Sequence, residues 1–192
     1  SWIGPFPFGD EKLGVVETPH MGMEHQTINA YGNGYKLDGR GYDWLMQHEF
    51  AHEWFGNQLT NENADDMWLH EGLGSYMQPL YARWLNGERY MQRELADQRE
   101  GLINKFPVVS GSPKTEDEVY FGETGPGNDI YSKGSLIAHS LRMLLGDAAF
   151  KEAWAEWLRL SNVLTFADCQ VSITTTSLVA KQRKTARPAP AT

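Results

Sequence analysis

Apolar residues recur along this chain first at the short period of strands and then at the longer period of helices. Residues 13–18 and 26–31 are short, partly β-branched runs, and Pro19-His20-Met21-Gly22 between them reads as a bend, so this region predicts a small sheet. Residues 1–10, rich in Pro, Gly and aromatics, form an irregular lead-in. Gly32, Gly34, Gly39 and Gly41 mark turns, after which helical spacing takes over. The pattern predicts helices over 42–59, 66–85 and 88–104, with a polar connector at 61–66. Residues 106–128, rich in Pro, Gly and acids, read as a long loop of the kind that lines a site. Two further helices are expected over 130–145, with Leu136, Leu141, Leu144 and Leu145, and over 147–160, with Phe150, Trp154, Trp157 and Leu158. After Phe166 the pattern decays into Ser and Thr and then turns basic. The reading is therefore α+β, a small sheet lobe followed by a mainly helical lobe, in one domain over residues 1–166, with 167–192 as a degenerate tail expected to be disordered. No internal repeat is visible.

Length and charge narrow the function. A chain of 192 residues is long enough to bury a real core. Its net charge is −8 even though Lys181, Arg183, Lys184 and Arg187 fall in an acid-free stretch, so the rest is more acidic still, which argues against a nucleic-acid partner. Apolar stretches are too short to span a membrane and no secretory signal pattern is present. Location is left open, with a soluble cytoplasmic setting favoured. Cys169 is the only cysteine, which excludes an internal disulfide and a cysteine-based metal cluster.

The chemistry lies in His48-Glu49-Phe50-Ala51-His52 and in Trp68-Leu69-His70-Glu71-Gly72. Residues four apart share a helix face, so His48 and His52 can offer imidazole nitrogens to one metal ion, with Glu49 beside its open side. A catalytic zinc takes three protein ligands and keeps a place for water, and Glu71, on a second helix, is placed to be the third. Two neutral imidazoles and one carboxylate leave the centre cationic, which favours ionisation of bound water and polarises a carbonyl. Glu49 then stands to take the water proton and pass it to a leaving amine. Metal-assisted hydrolysis of an amide is the implied reaction. Gly72 and Gly74 weaken their helix and suggest close packing against the first helix at the metal. Asp65, Asp66 and Glu53 are candidates to accept the second N–H of a ligating histidine. His20 and His139 have no motif around them and read as structural or surface residues.

Three segments in order resemble the aminopeptidase N family of zinc metallopeptidases, gluzincins that include leukotriene A4 hydrolase. They are HEFAHEWFGN with WLHEG, Gly22-Met23-Glu24-His25 where the family has Gly-x-Met-Glu-Asn, and Tyr131-Ser132-Lys133-Gly134 where it has Tyr-x-Lys-Gly. The likeness runs over residues 4–166. It implies a zincin-like (thermolysin-like) catalytic domain with one Zn2+ on His48, His52 and Glu71. Gly22, Met23 and Glu24 would then contact the substrate, with Glu24 on its free α-amino group, and Tyr131 would donate to the oxyanion. Its substrates would be peptides with a free amino terminus. His25 and His70 each replace a usual Asn. Because the large flanking domains of the family find no counterpart here, the chain reads as a minimal catalytic domain or a truncated piece, with uncovered surfaces that favour self-association. The expected function is a zinc aminopeptidase, the alternatives being a broader peptidase or endopeptidase and a zinc-binding fragment without useful catalysis.

Overall fold

The computed structural model describes residues 2–164, so the degenerate tail expected at 167–192 lies outside the described residues. Strands β1 (Gly14–Glu17), β2 (Gly22–Met23) and β3 (Ile28–Tyr31) form a sheet in the order β1-β3-β2, with β1 parallel and β2 antiparallel to β3. Met23 pairs with Ala30 and Gly22 with Tyr31. The bend expected at 19–22 thus ends in a third strand, whose two residues are too few to show a period. Strand β3, in the middle of the sheet, buries Asn29, Ala30 and Tyr31, so it is covered on both faces. Val15, Val16, Met23 and Ile28 stay exposed.

Helix α1 (Trp44–Ala51) begins at Asp43, whose carboxylate accepts Met46 N–H at 3.1 Å and also receives the Tyr31 hydroxyl and the Asn33 amide. It ends eight residues earlier than its periodicity predicts. The chain keeps coiling, but Asn57, Gln58 and Leu59 donate to the carbonyls of His52, Glu53 and Trp54, each five residues back. Gly56, within this wider coil, stands at φ +141° in a backbone region open only to glycine.

A 3-10 turn at Ala64–Asp66 leads into α2 (Trp68–Asn86), followed by α3 (Glu88–Glu100), α4 (Glu116–Tyr120), α5 (Asp129–Leu145) and α6 (Asp147–Leu164). Pro79 sits inside α2 and cannot donate to the Ser75 carbonyl. Gln98 of α3 supplies that bond instead at 3.3 Å, while its amide oxygen accepts Ser135 Oγ of α5 at 2.7 Å, so one side chain ties three helices. Helix α3 stops four residues before its expected end because Asn104 turns to φ +52° and the buried Asp129 carboxylate takes the N–H groups of Ile103 and Asn104. Helix α4 lies within the stretch expected to be a loop, and Thr115 with Glu118 closes a capping box at its start. Behind these helices Phe55, Tyr76, Phe150, Trp154 and Trp157 form an aromatic core, with Phe150 and Trp154 centroids 4.6 Å apart.

Candidate metal centre

His48 lies in the last turn of α1 and His52 is its C-cap, so both rings leave the same side of the helix toward α2. Glu71 lies in the first turn of α2. His48 Nε2 and His52 Nε2 are 3.1 Å apart, and Glu71 Oε2 is 3.4 Å from the first and 3.3 Å from the second. Tetrahedral zinc with bonds of about 2.0–2.1 Å sets its ligand atoms about 3.3 Å apart. The triangle fits one zinc. Glu71 Oε2 is buried and has no hydrogen-bond partner among the described residues, a costly state that a cation at the centre of the triangle relieves.

The surroundings fix each ligand. His52 Nδ1 lies 2.8 Å from the Phe55 carbonyl. A carbonyl only accepts, so Nδ1 carries the proton and Nε2 keeps its lone pair for metal. That carbonyl, supplied by the wide turn after α1, takes the place expected of a carboxylate. Asp65 instead binds the Ser110 and Gly111 N–H groups, and Glu53 binds Thr27 N–H. Gly74 leaves room for the ring, since a Cβ there would meet His52 Cε1 at 3.3 Å. Gly72 faces α5 rather than α1, and a Cβ there would stand 2.7 Å from the Gly134 Cα. Glu71 Oε1 accepts the Tyr131 hydroxyl at 3.2 Å and the Tyr120 hydroxyl at 3.1 Å.

Tyr120 was not foreseen. Its signal was the Thr115–Glu118 capping box, which would have placed a short helix in the loop. Burial and the neighbouring Glu71 carboxylate push both tyrosine hydroxyls up, so they remain donors. His70 is lowered to about 4 by burial and by His52, and as a neutral ring it accepts Asn61 N–H at 3.0 Å.

Glu49 is buried, and its carboxyl is pushed up to about 7 by burial, against the pull of His52 and with the help of Glu24 and Glu71. Ligand atoms of Glu24, Glu49 and His52 lie within 4.8 Å of one another. Strand β2 passes directly over Glu49: a Cβ on Gly22 would meet Glu49 Cδ and Leu45 Cδ1 at 2.8 Å. Every site residue expected from the sequence except Met23, exposed on the sheet edge, is therefore in or against one cluster. His25 is exposed, as is His20, while His139 shares a 3.2 Å hydrogen bond with the Tyr76 hydroxyl. A cleft of about 230 Å3 opens beside His48 and Tyr131, lined also by Trp44, Ser75, Gln78, Gln98 and Ser132.

A small mixed sheet over a His-Glu-x-x-His helix, with a carboxylate from the next helix closing the ligand triangle, defines a zincin-like domain. The chain belongs to peptidase family M1, whose domain matches residues 19–171. It is 27% identical over 176 residues to aminopeptidase B of Rattus norvegicus, covering 84% of this chain and 27% of that protein. Against aminopeptidase N of Oryctolagus cuniculus it is 31% identical over 121 residues, 59% of this chain and 12% of that one. Its structure resembles the M1 zinc metallopeptidase of Deinococcus radiodurans bound to a Tyr-Ser-Ala substrate, with TM-score 0.72 and 26% identity over 95% of this chain and 38% of that chain. The chain thus spans well under half the length of each relative. No described helix is long and apolar enough to cross a membrane.

Proposed function

We propose that this chain carries the catalytic centre of a zinc-dependent aminopeptidase that hydrolyses the first peptide bond of peptides with a free amino terminus. The observation that carries the reading is the ligand triangle of 3.1–3.4 Å with its buried, unpartnered Glu71 oxygen. His48, His52 and Glu71 would hold the zinc. When bound, zinc supplies Lewis acidity and a water that ionises near neutral pH.

Glu49 is the general base, taking the proton of the attacking water and delivering it to the leaving amine; its burial and its nearness to His52 suit that task. Glu24 receives the substrate α-ammonium. With its carboxylate within 4.8 Å of that of Glu49, it fixes how far the amino terminus lies from the reacting bond. Gly22 and Met23, on the edge strand, offer backbone groups to an extended peptide. Tyr131 donates its hydroxyl to the oxyanion, a bond gained as the carbonyl becomes tetrahedral. The tripeptide substrate of the Deinococcus radiodurans relative is in keeping with this substrate class. Exposed Trp84, Phe121 and Leu144 favour self-association of the chain.

The test is hydrolysis of amino-acid anilides by zinc-loaded protein, beside amino-blocked anilides and the Glu49→Gln variant. Cleavage of free-amine substrates only, lost in the variant while zinc is retained, is the expected result. Rapid cleavage of blocked substrates would point to a broader peptidase, and no cleavage by a sample holding one zinc would leave a metal-binding module.

A further inference from the structure

We infer that Glu53 is a positioning residue for amine recognition: from the coil that ends α1 it grips the reversal between β2 and β3 and so sets where Glu24 stands beside Glu49 and His52. The inference rests on the role proposed above for Glu24.

Glu53 follows His52 directly and is 0% exposed. Withdrawing a carboxylate wholly from water is costly, so the bonds it does make carry weight. Its Oε1 accepts the Thr27 N–H at 2.9 Å, a contact spanning 26 residues of sequence, while its Oε2 is buried with no hydrogen-bond partner among the described residues, so the bonding of this carboxylate is concentrated on Thr27. Thr27 is the telling partner. It stands at φ +62°, a left-handed conformation that a β-branched residue rarely adopts and that persists only where its surroundings over-determine it.

Those surroundings are few. Besides Glu53, Thr27 O accepts Gly14 N–H at 2.7 Å, Ile28 N–H closes on the His25 carbonyl at 3.0 Å, and Thr27 Oγ1 reaches Glu11 at 3.2 Å on the exposed side. Glu53 is thus the buried anchor of the turn, and it belongs to the same coil that carries His52. Glu24 stands at the start of the reversal, three residues before Thr27. Without its anchor the turn relaxes from the strained conformation and Glu24 shifts, whereas His48, His52, Glu71 and Glu49 keep their own supports.

A merely structural role would lower stability and damage kcat and KM alike. Positioning of Glu24 predicts a loss in KM alone. Zinc-loaded Glu53→Ala should show KM for free-amine anilides raised about tenfold, with kcat and zinc content unchanged, and Glu53→Gln, which keeps an oxygen for Thr27 N–H, should restore the wild-type KM. Where Ala fails to fold, Glu53→Asp carries the same measurement, because it keeps the charge but withdraws the oxygen by one methylene. In a Glu24→Ala background the Glu53 change should have no further effect on KM. A loss confined to kcat with KM unmoved, or additivity with Glu24→Ala, would overturn the inference. If Glu24→Ala itself leaves KM for free-amine substrates unmoved, the amine-site reading fails and takes this one with it; if Glu24→Ala raises KM and Glu53→Ala does not, this one fails alone.

Discussion

Replacing Gly22 by Ala puts a methyl group where Glu49 already stands. The new Cβ would lie 2.8 Å from Glu49 Cδ and from Leu45 Cδ1, whereas carbon atoms in contact settle about 3.5–4.0 Å apart. Glu49 must therefore retreat by about 1 Å, or β2 must lift by as much. A carboxylate at the end of a side chain can rotate away, so the fold should lose only about 1 kcal/mol, the low end for overpacking. Catalysis is less forgiving, because displacement of a reacting group by about 1 Å costs on the order of 10²-fold in rate, or about 2.7 kcal/mol of activation free energy. None of the three candidate zinc ligands is touched. The expected outcome is a folded protein with full zinc content, a melting temperature within a few degrees of wild type, and kcat for a free-amine anilide reduced about 100-fold. A kcat within threefold of wild type would refute the claim that β2 fixes Glu49.

Gly72→Ala should destabilise the chain by about 1–2 kcal/mol in urea unfolding, since its Cβ meets backbone atoms of α5 that cannot rotate away and the overpacking outweighs the roughly 1 kcal/mol gain in helix propensity; a more stable variant would contradict this packing. Asp43→Ala should cost about 2–3 kcal/mol, about 1 for the lost cap and the rest for the stranded Tyr31 and Asn33 donors. Burial pushes the Asp43 carboxyl up, but Tyr31, the Met46 N–H and Asn33 outweigh it and hold it below the ordinary value. Its stabilisation is therefore complete above the unfolded pKa of about 3.9 and is lost as pH falls through the lower folded value. The stability gap between wild type and Asp43→Ala should be flat from about pH 5 to 8 and close below about pH 4; a gap that widens in acid would reverse the sign. Stripping zinc with a chelator should lower the melting temperature, by a stabilisation that reaches about 4 kcal/mol when zinc is at 1,000 times its dissociation constant, and zinc should restore it. A melting curve indifferent to chelator would argue that the triangle holds no metal.

Much of the candidate site could be read from spacing alone, because metal ligation demands particular atoms at particular turns of a helix. His48, His52 and Glu71 needed only the period of 3.6 and a second helix to meet. What periodicity could not carry was everything that depends on departures from it. The early end of α1 is hidden because Trp54, Phe55 and Leu59 keep a helical spacing of apolar residues while the backbone widens to five-residue bonds around Gly56. That departure delivers the Phe55 carbonyl to His52, so for this ligand a carbonyl stands in place of the candidate carboxylates, hidden for the same reason as the helix boundary. Strand β2 is two residues long and has no pattern to find, yet it lies over Glu49. Helix α4 was legible through its capping box, but the Pro and Gly content around it dominated the reading. Gly72 was correctly taken as a close-packing position and assigned the wrong neighbour, since a sequence shows that a side chain is missing but not what approaches the gap.

The backbone contact between Gly72 and Gly134 has a mechanical meaning as well. Glu71 is one residue from it on α2, and Tyr131 one helical turn from it on α5. Where two helices touch through main-chain atoms, with no side chain between them to compress or change rotamer, the contact acts as a fulcrum. Rocking of one helix against the other displaces their far ends most and leaves the pivot nearly still. The carboxylate and the phenol sit within one turn of that pivot, so a rocking of the pair would change the gap between them less than that between the helix ends.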